Sequence, residues 1–328
     1  MIKYTLKRIL YMLFVFSIMT VILFTLFEMI PGDPARAEVE ALKDQLKPDE
    51  YEYAYQQARV RLGLNDPLPV KYGKYVKGLV TGDLGMSVIH KKEVIKILKA
   101  PLKTTVFINI FAVAIGLSIT IPLGIFTAVK KNSIMDKIVQ VLIIVGHSIP
   151  VFIFALLFIY VFAVKLGKFP VSGMGTPNLS GSSWVLFKDK MWHLALPLMV
   201  MTIGSLAAIT KYVRAAMADA LTMDYIKTAR AKGLKERVVI FSHAWRNALL
   251  PVVTLLISWF MSIFYGSLVI ERMFNLEGLG KLLITSLQNQ DYNVVMAIQL
   301  LYIIIALFGN LITDLSYGIV DPRVRVDS

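Results

Sequence analysis

Six stretches of the chain are almost continuously apolar, and polar or charged residues gather in the segments between them. They cover residues 9–30, 104–129, 138–164, 192–216, 249–270 and 294–320. Each is close to the roughly 20 residues that carry a helix across hydrocarbon. None alternates polar and apolar at every second position, as a barrel strand does. A helix also satisfies its own backbone groups in lipid. The pattern predicts an all-α membrane protein with six transmembrane helices.

The first stretch follows Lys3, Lys7 and Arg8, as a signal peptide would, and Ala35-Arg36-Ala37 has the form of a cleavage site. A signal core is about 7–15 residues long. This one is longer and runs into Pro31-Gly32-Asp33-Pro34, so it reads as a retained helix. With the N-terminus in the cytoplasm, Lys130, Lys131, Lys137, Lys211, Arg214 and the basic residues of 227–246 fall inside, with Arg323 and Arg325. The short outer loops keep Lys165, Lys168, Lys188, Lys190, Arg272 and Lys281. The bias satisfies the positive-inside rule, with Lys165 to Lys190 a mild blemish, and it puts both termini in the cytoplasm. The chain then divides into residues 1–30 (N-terminus and helix 1), 31–101 (an external subdomain), 102–320 (a five-helix core) and 321–328 (a cytoplasmic tail). Residues 35–46 and 49–62 of the external subdomain read as amphipathic helices. Contact with something outside and simple packing over the helix ends are equal readings of it.

Composition agrees with this picture. Of 328 residues, 56% are hydrophobic and only 17% charged, against about 25% charged in soluble chains. Cysteine is absent, which removes disulfides, thiolate metal sites and Cys nucleophiles. The net charge of +13 raises nucleic acid as a partner. Its location in loops between apolar runs fits the anionic inner face of a bilayer better.

The segment 228–251, TARAKGLKERVVIFSHAWRNALLP, stands out among the inner loops. Asp224 is placed to cap a short helix over 225–232, and Gly233 suits the left-handed position that ends one. Ile226, Ala229 and Gly233 then share a small, shallow face that another backbone could approach. Pro251 fits the first turn of the next span. An ordinary basic loop that only fixes topology accounts for the charge but not for the small face. A helix resting on lipid is a third reading, weakened by the small apolar face.

These residues carry a resemblance. The run from Asp224 to Leu234, followed by His243-Ala244-Trp245-Arg246-Asn247-Ala248-Leu249-Leu250-Pro251, resembles the "EAA" loop of bacterial ABC importer permeases, in their dipeptide/oligopeptide/nickel branch. Lys227-Thr228-Ala229 stands where the general pattern has Glu-Ala-Ala, and the distance from Gly to Pro is longer. Both departures are similar to the peptide branch itself. Ile30-Pro31-Gly32-Asp33-Pro34, Gly82-Asp83-Leu84-Gly85-Met86-Ser87 and Asp321-Pro322-Arg323-Val324-Arg325 are similar to its B-type subunit.

The resemblance implies the type I ABC importer fold, with a cytoplasmic coupling helix between helices 4 and 5, in loop 217–248. It implies a permease subunit moving peptides by alternating access across the cytoplasmic membrane. Its partners would be a second, C-type permease subunit, two cytoplasmic ATPases and an external substrate-binding protein. ATP and Mg would sit on the ATPases, with no cofactor on this chain and no nucleic acid. Asp224, Tyr225, Ile226, Thr228, Ala229, Arg230, Ala231, Lys232, Gly233 and Leu234 would form the ATPase-coupling segment. Ala229 and Gly233 would permit close docking, Tyr225 and Ile226 would anchor, and Arg230 and Lys232 would make rim contacts. Arg246, Asn247, Leu250 and Pro251 would restart the membrane helix. Nickel or another small solute on the same scaffold is the alternative, followed by an ion-coupled carrier.

The remaining chemistry agrees. No Gly-x-x-x-x-Gly-Lys-Ser/Thr loop occurs, no cluster has metal-ligand spacing, and no nucleophile has an adjacent base. The sequence therefore predicts a transporter subunit without its own ATPase site, not an enzyme. Acids in the apolar stretches lie near the ends, at Glu28 and Asp314, which disfavours an ion-coupled carrier. His147 and Ser148, beside Pro150, which is expected to kink the helix there, are pathway candidates with Asn109 and Gln299. For each, a hydrogen bond to a neighbouring helix is the competing reading.

Overall fold

The computed structural model describes residues 2–30 and 32–320, and the described residues are helical apart from loops and a single bridge between Met86 and Glu93. The N-terminal helices are α1 (Ile2–Glu28), α2 (Pro34–Val39), α3 (Pro48–Arg61), α4 (Leu68–Thr81) and α5 (Val94–Val129). Then come α6 (Ile134–Ser148), α7 (Val151–Phe158), α8 (Ser183–Thr222), α9 (Asp224–Ala231) and α10 (Glu236–Val238). The last are α11 (Arg246–Met261), α12 (Leu268–Met273), α13 (Leu279–Gln288) and α14 (Tyr292–Val320). The C-terminal run Asp321–Arg325 and Pro31 lie outside the described residues.

Among the described residues, four segments are long and apolar enough to cross a membrane: Tyr4–Glu28, Val94–Val129, Pro251–Met273 and Tyr292–Ser316. Two bent pairs bring the total to six if each pair is one span. The stretch predicted as one kinked helix over 138–164 is instead α6 and α7, meeting at 100°. Pro150 is the cause. Its ring disfavours helical geometry in the preceding residue, so Ile149 is extended (φ −90°, ψ 125°) and the helix restarts after Pro150. The second pair lies within α8, bent by 42° between Gly204 and Leu206.

Pro251 also differs from expectation. Helix α11 begins at Arg246, so Pro251 lies inside the helix rather than in its first turn. The widened turn Val239–Trp245 joins α11 directly and carries the helix past the loop.

The chain forms two compact units, one of residues 1–103 with 282–311, the other of 104–281 with 312–328. In the first, Phe24 of α1 packs against Tyr72 and Tyr75 of α4 at 5.4 and 5.7 Å. Thr20 and Tyr72 share a hydroxyl hydrogen bond of 3.0 Å, and Lys71 pairs with Glu28. Much of the rest of α1 exposes apolar side chains such as Leu10, Phe14 and Leu26, as a lipid-facing helix does. Buried Asp291, just before α14, accepts from the Ser87 hydroxyl and from the Val88 and Ile89 amides. That carboxylate pins the loop before α5 to the start of α14.

The predicted external helices appear as α2 and α3. Ala35, Val39, Tyr55 and Ala58 form their small core. Asp33 caps α2 by accepting from the Ala35 amide at 3.0 Å, and it also takes the Tyr55 hydroxyl and the Arg59 guanidinium (2.7 Å). Burial pushes the Asp33 carboxyl up, but these donors outweigh it and hold it below the ordinary carboxylate value. A group with a depressed folded pKa stabilises above its unfolded value and loses that contribution as pH falls through the folded one. Acidification below about pH 4 therefore loosens the α2–α3 pair, and Asp33→Asn loosens it at neutral pH. Protease cleavage within residues 33–61, followed against pH, reads both effects.

Candidate coupling site

Helix α9 hangs from the end of α8, and its ends are fixed by its own backbone. The N-cap is Met223, in extended geometry, with no side-chain cap bond. Asp224 is thus the first helical residue and not the predicted cap. Its carboxylate is almost fully exposed and pairs with Lys227 at 2.8 Å. The helix begins one residue early, which turns that side chain away from the free amides. At the other end the Gly233 amide donates to Arg230 O (2.9 Å) and the Leu234 amide to Ala229 O (3.4 Å). This is a Schellman closure, and Gly233 has the left-handed φ of +71° it requires.

The face predicted to receive a partner is turned inward. Ile226 is 0% and Ala229 4% exposed, packed with Val213, Met217 and Ala220 of α8 and with Val239, Ala244, Ala248 and Val252. Ala229 and Ile226 therefore seat α9 on the chain's own helices and cannot form a docking face. An apolar residue at each inward position buries better against α8 than against water. Nothing lies near the space a Gly233 side chain would occupy, so its glycine serves the turn and not a close approach.

The outward face is polar and small: Asp224, Lys227, Thr228 and Ala231, flanked by Tyr225, Arg230 and Lys232, all exposed. Leu234 is exposed just beyond it. Arg230 is not a free rim charge. Its guanidinium holds both oxygens of Glu236 (2.6 and 3.2 Å), which draws the Glu236 carboxyl below its usual value and closes the loop after Gly233. Arg246 and Asn247 are exposed at the start of α11, where Asn247 donates to His243 O at 2.7 Å. Leu250 lies in the same helix, its side chain outside the described residues.

The pathway candidates fall in both compact units. Asn109 is buried, and its amide donates to the carbonyls of Ser262, Ile263 and Tyr265 at 3.3, 2.9 and 2.9 Å. Its role is to satisfy the break after α11. His147 and Ser148 are exposed at the end of α6, the Ser148 hydroxyl donating to Ile144 O. Gln299 is half-buried on α14, in the other compact unit.

Besides Asp291, two buried acids escaped sequence reasoning. Asp136 accepts two hydrogen bonds of 2.8 Å from Arg214. Its Ser133-x-x-Asp136 spacing was a readable helix start, since the Ser133 hydroxyl accepts from the Asp136 amide. Glu271 accepts from Thr105 (2.9 Å) and from the Lys281 amide (2.9 Å), and the Leu279 amide donates to Thr105. Glu271 thus sits at the N-terminus of α13, where amides and helix dipole favour an acid. It lay just past the predicted end of a span.

Residues 120–326 match the family of binding-protein-dependent transport system inner membrane components, and residues 1–109 match its N-terminal region. The chain belongs to this family. It is accordingly a multi-pass protein of the inner membrane. A Brucella suis protein named as a putative peptide permease is 37% identical over 99% of this chain and 100% of its own length. The Bacillus subtilis oligopeptide transport system permease protein AppB is 36% identical with the same coverage. The dipeptide transport system permease protein DppB of Alkalihalophilus pseudofirmus is 33% identical, again over 99% and 100%. Among solved structures, the inward-facing MetNI methionine ABC transporter aligns with 67% of this chain and 96% of its own, at 16% identity and a TM-score of 0.48.

Two substitutions separate the roles within the loop. Ile226→Ala removes a fully buried side chain and is expected to cost about 2–5 kcal/mol, unseating α9. Gly233→Ala forces a Cβ into left-handed geometry at about 1–2 kcal/mol and frays only the helix end. Hydrogen exchange across 224–234 should show deprotection along the whole helix for the first and near its last turn for the second.

Proposed function

We propose that the chain is a transmembrane permease subunit of an ATP-driven peptide importer, and that α9 is the element a cytoplasmic ATPase grips. The observation that carries this reading is the two-sidedness of α9: apolar residues fixed into the chain's own core and an exposed, small polar face opposite. A helix built only to rest on lipid would turn its apolar side outward. The full-length likeness to permeases named for oligopeptides and dipeptides supports peptide as the substrate class. Nickel import on the same scaffold has no comparable support among these relatives.

In this reading both termini and α9 are cytoplasmic, and a second permease subunit completes the pathway. Two ATPases bind inside, and a substrate-binding protein docks outside. ATP and Mg belong to the ATPases. Closure of the ATPases moves α9, and because Ile226 and Ala229 are embedded between α8 and α11, those helices move with it. Alternating access follows if the two subunits rock together. The chain itself performs no bond chemistry.

Contact through the outward face makes Thr228 and Ala231 the sensitive positions. Thr228→Trp or Ala231→Trp leaves the inward packing untouched, so the folded chain should still accumulate in the membrane. Copurification of the ATPases and ATP-dependent uptake of a labelled peptide should both fall at least tenfold, or about 1.4 kcal/mol of binding. Undiminished association and uptake in both variants would remove α9 from the coupling role. Uptake that persists after ATP depletion would favour an ion-coupled carrier.

A further inference from the structure

The inner end of α8 holds two elements at once. Val213, Met217 and Ala220 face the pocket that seats Ile226 and Ala229 of α9. The adjacent residue, Arg214, points to α6, where its Nε and Nη2 each donate to a different oxygen of Asp136 at 2.8 Å. The Asp136 side chain is 3% exposed and that of Arg214 22%. Asp136 is held further by the Asn132 amide at 2.9 Å and the Gln140 amide at 3.4 Å. Asn132 itself has φ +67°, a tight turn that fixes where α6 begins. One and two turns on, Val139 and Ile143 pack with Ala207 of α8. Beyond them α6 ends at Ser148, where the chain bends by 100°.

Apolar helix contacts resist separation but let helices slide and rotate, because dispersion contacts have little directionality. A bidentate guanidinium–carboxylate pair is directional: two parallel bonds fix distance and orientation together. Burial also makes rupture costly, since either partner alone is a charge without compensation. At the joint between α8 and α6 this pair is therefore the stiff element, one residue from the seat of α9.

We propose that the Asp136–Arg214 pair is a positioning link that transmits displacement of α9 through α8 into α6. This rests on the coupling role of α9 proposed above. Pulling α9 moves α8, and the pair obliges the start of α6 to follow as a rigid lever toward the bend at Pro150. With the pair broken, α9 and α8 still move with the ATPases, but α6 slips. The expected defect is loss of coupling rather than loss of assembly.

The test uses the complete transporter, with both permease subunits, the ATPases and the binding protein, in proteoliposomes. The readout is peptide taken up per ATP hydrolysed. A role limited to stability lowers the amount of complex and both rates together, leaving this ratio unmoved. Asp136→Asn should retain ATPase association and hydrolysis while the ratio falls by roughly 2- to 30-fold. Arg214→Lys, which keeps the charge but loses the planar fork, should give a smaller fall in the same direction. A wild-type ratio in Asp136→Asn and Arg214→Lys would overturn the link. If Asp136→Asn fails to accumulate, the ratio in Arg214→Lys decides alone, a fall supporting the link and a wild-type value overturning it. Failure of the underlying reading is distinct: Thr228→Trp would then retain full ATPase association, whatever the ratio in the pair variants.

Discussion

In hydrocarbon a backbone amide or carbonyl without a partner costs several kcal/mol, and water is absent to supply one. Unbroken helices meet this constraint by themselves, which is why the chain is built from them. The informative places are the interruptions, because each must bring its own partner. After α11 the freed carbonyls of Ser262, Ile263 and Tyr265 converge on one side-chain amide, that of Asn109. At the start of α13 the exposed amides converge on Glu271, steadied by Thr105. Asn109 and Thr105 lie one turn apart on α5, so one stretch of that helix serves both breaks. Polar residues in these segments are thus spent chiefly on the backbone rather than on a solute.

The α9 loop follows a different logic. A short helix outside the apolar runs can expose one face. Eight residues of α9 bury two side chains, Ile226 and Ala229, and leave the rest polar or small. The closing turn at Gly233 and the Arg230–Glu236 pair complete the loop without reference to any other molecule. Such a loop is shaped by its own chain and offered outward.

The apolar runs were legible because hydrophobic periodicity acts locally, whereas the Asp224 cap and the Pro251 restart were misplaced. Gly233 and the helices predicted within 35–62 appear where local signals put them. The direction of α9's faces was not legible. Ile226 and Ala229 read equally well as a dock for a foreign backbone and as a seat on α8, and only burial distinguishes the two. The bend at Pro150 was foreseen in kind but not in size, since proline permits angles from a slight kink to a full turn and packing chooses among them. Asp136 and Glu271 were missed because each lies within two residues of a predicted span edge. Their partners, Arg214 and Thr105, are 78 and 166 residues away in sequence.

The self-sufficiency of α9 has a thermodynamic consequence. An isolated peptide of this length would be largely unfolded, because nucleating so short a helix is unfavourable. Here the ordering entropy is met during folding of the chain itself, through the seat on α8 and the Schellman turn. A protein that grips the outward face therefore meets a preorganised epitope and loses little affinity to ordering it. Repeated attachment and release through a transport cycle would proceed between rigid bodies, with the helix neither melting nor re-forming at each turn.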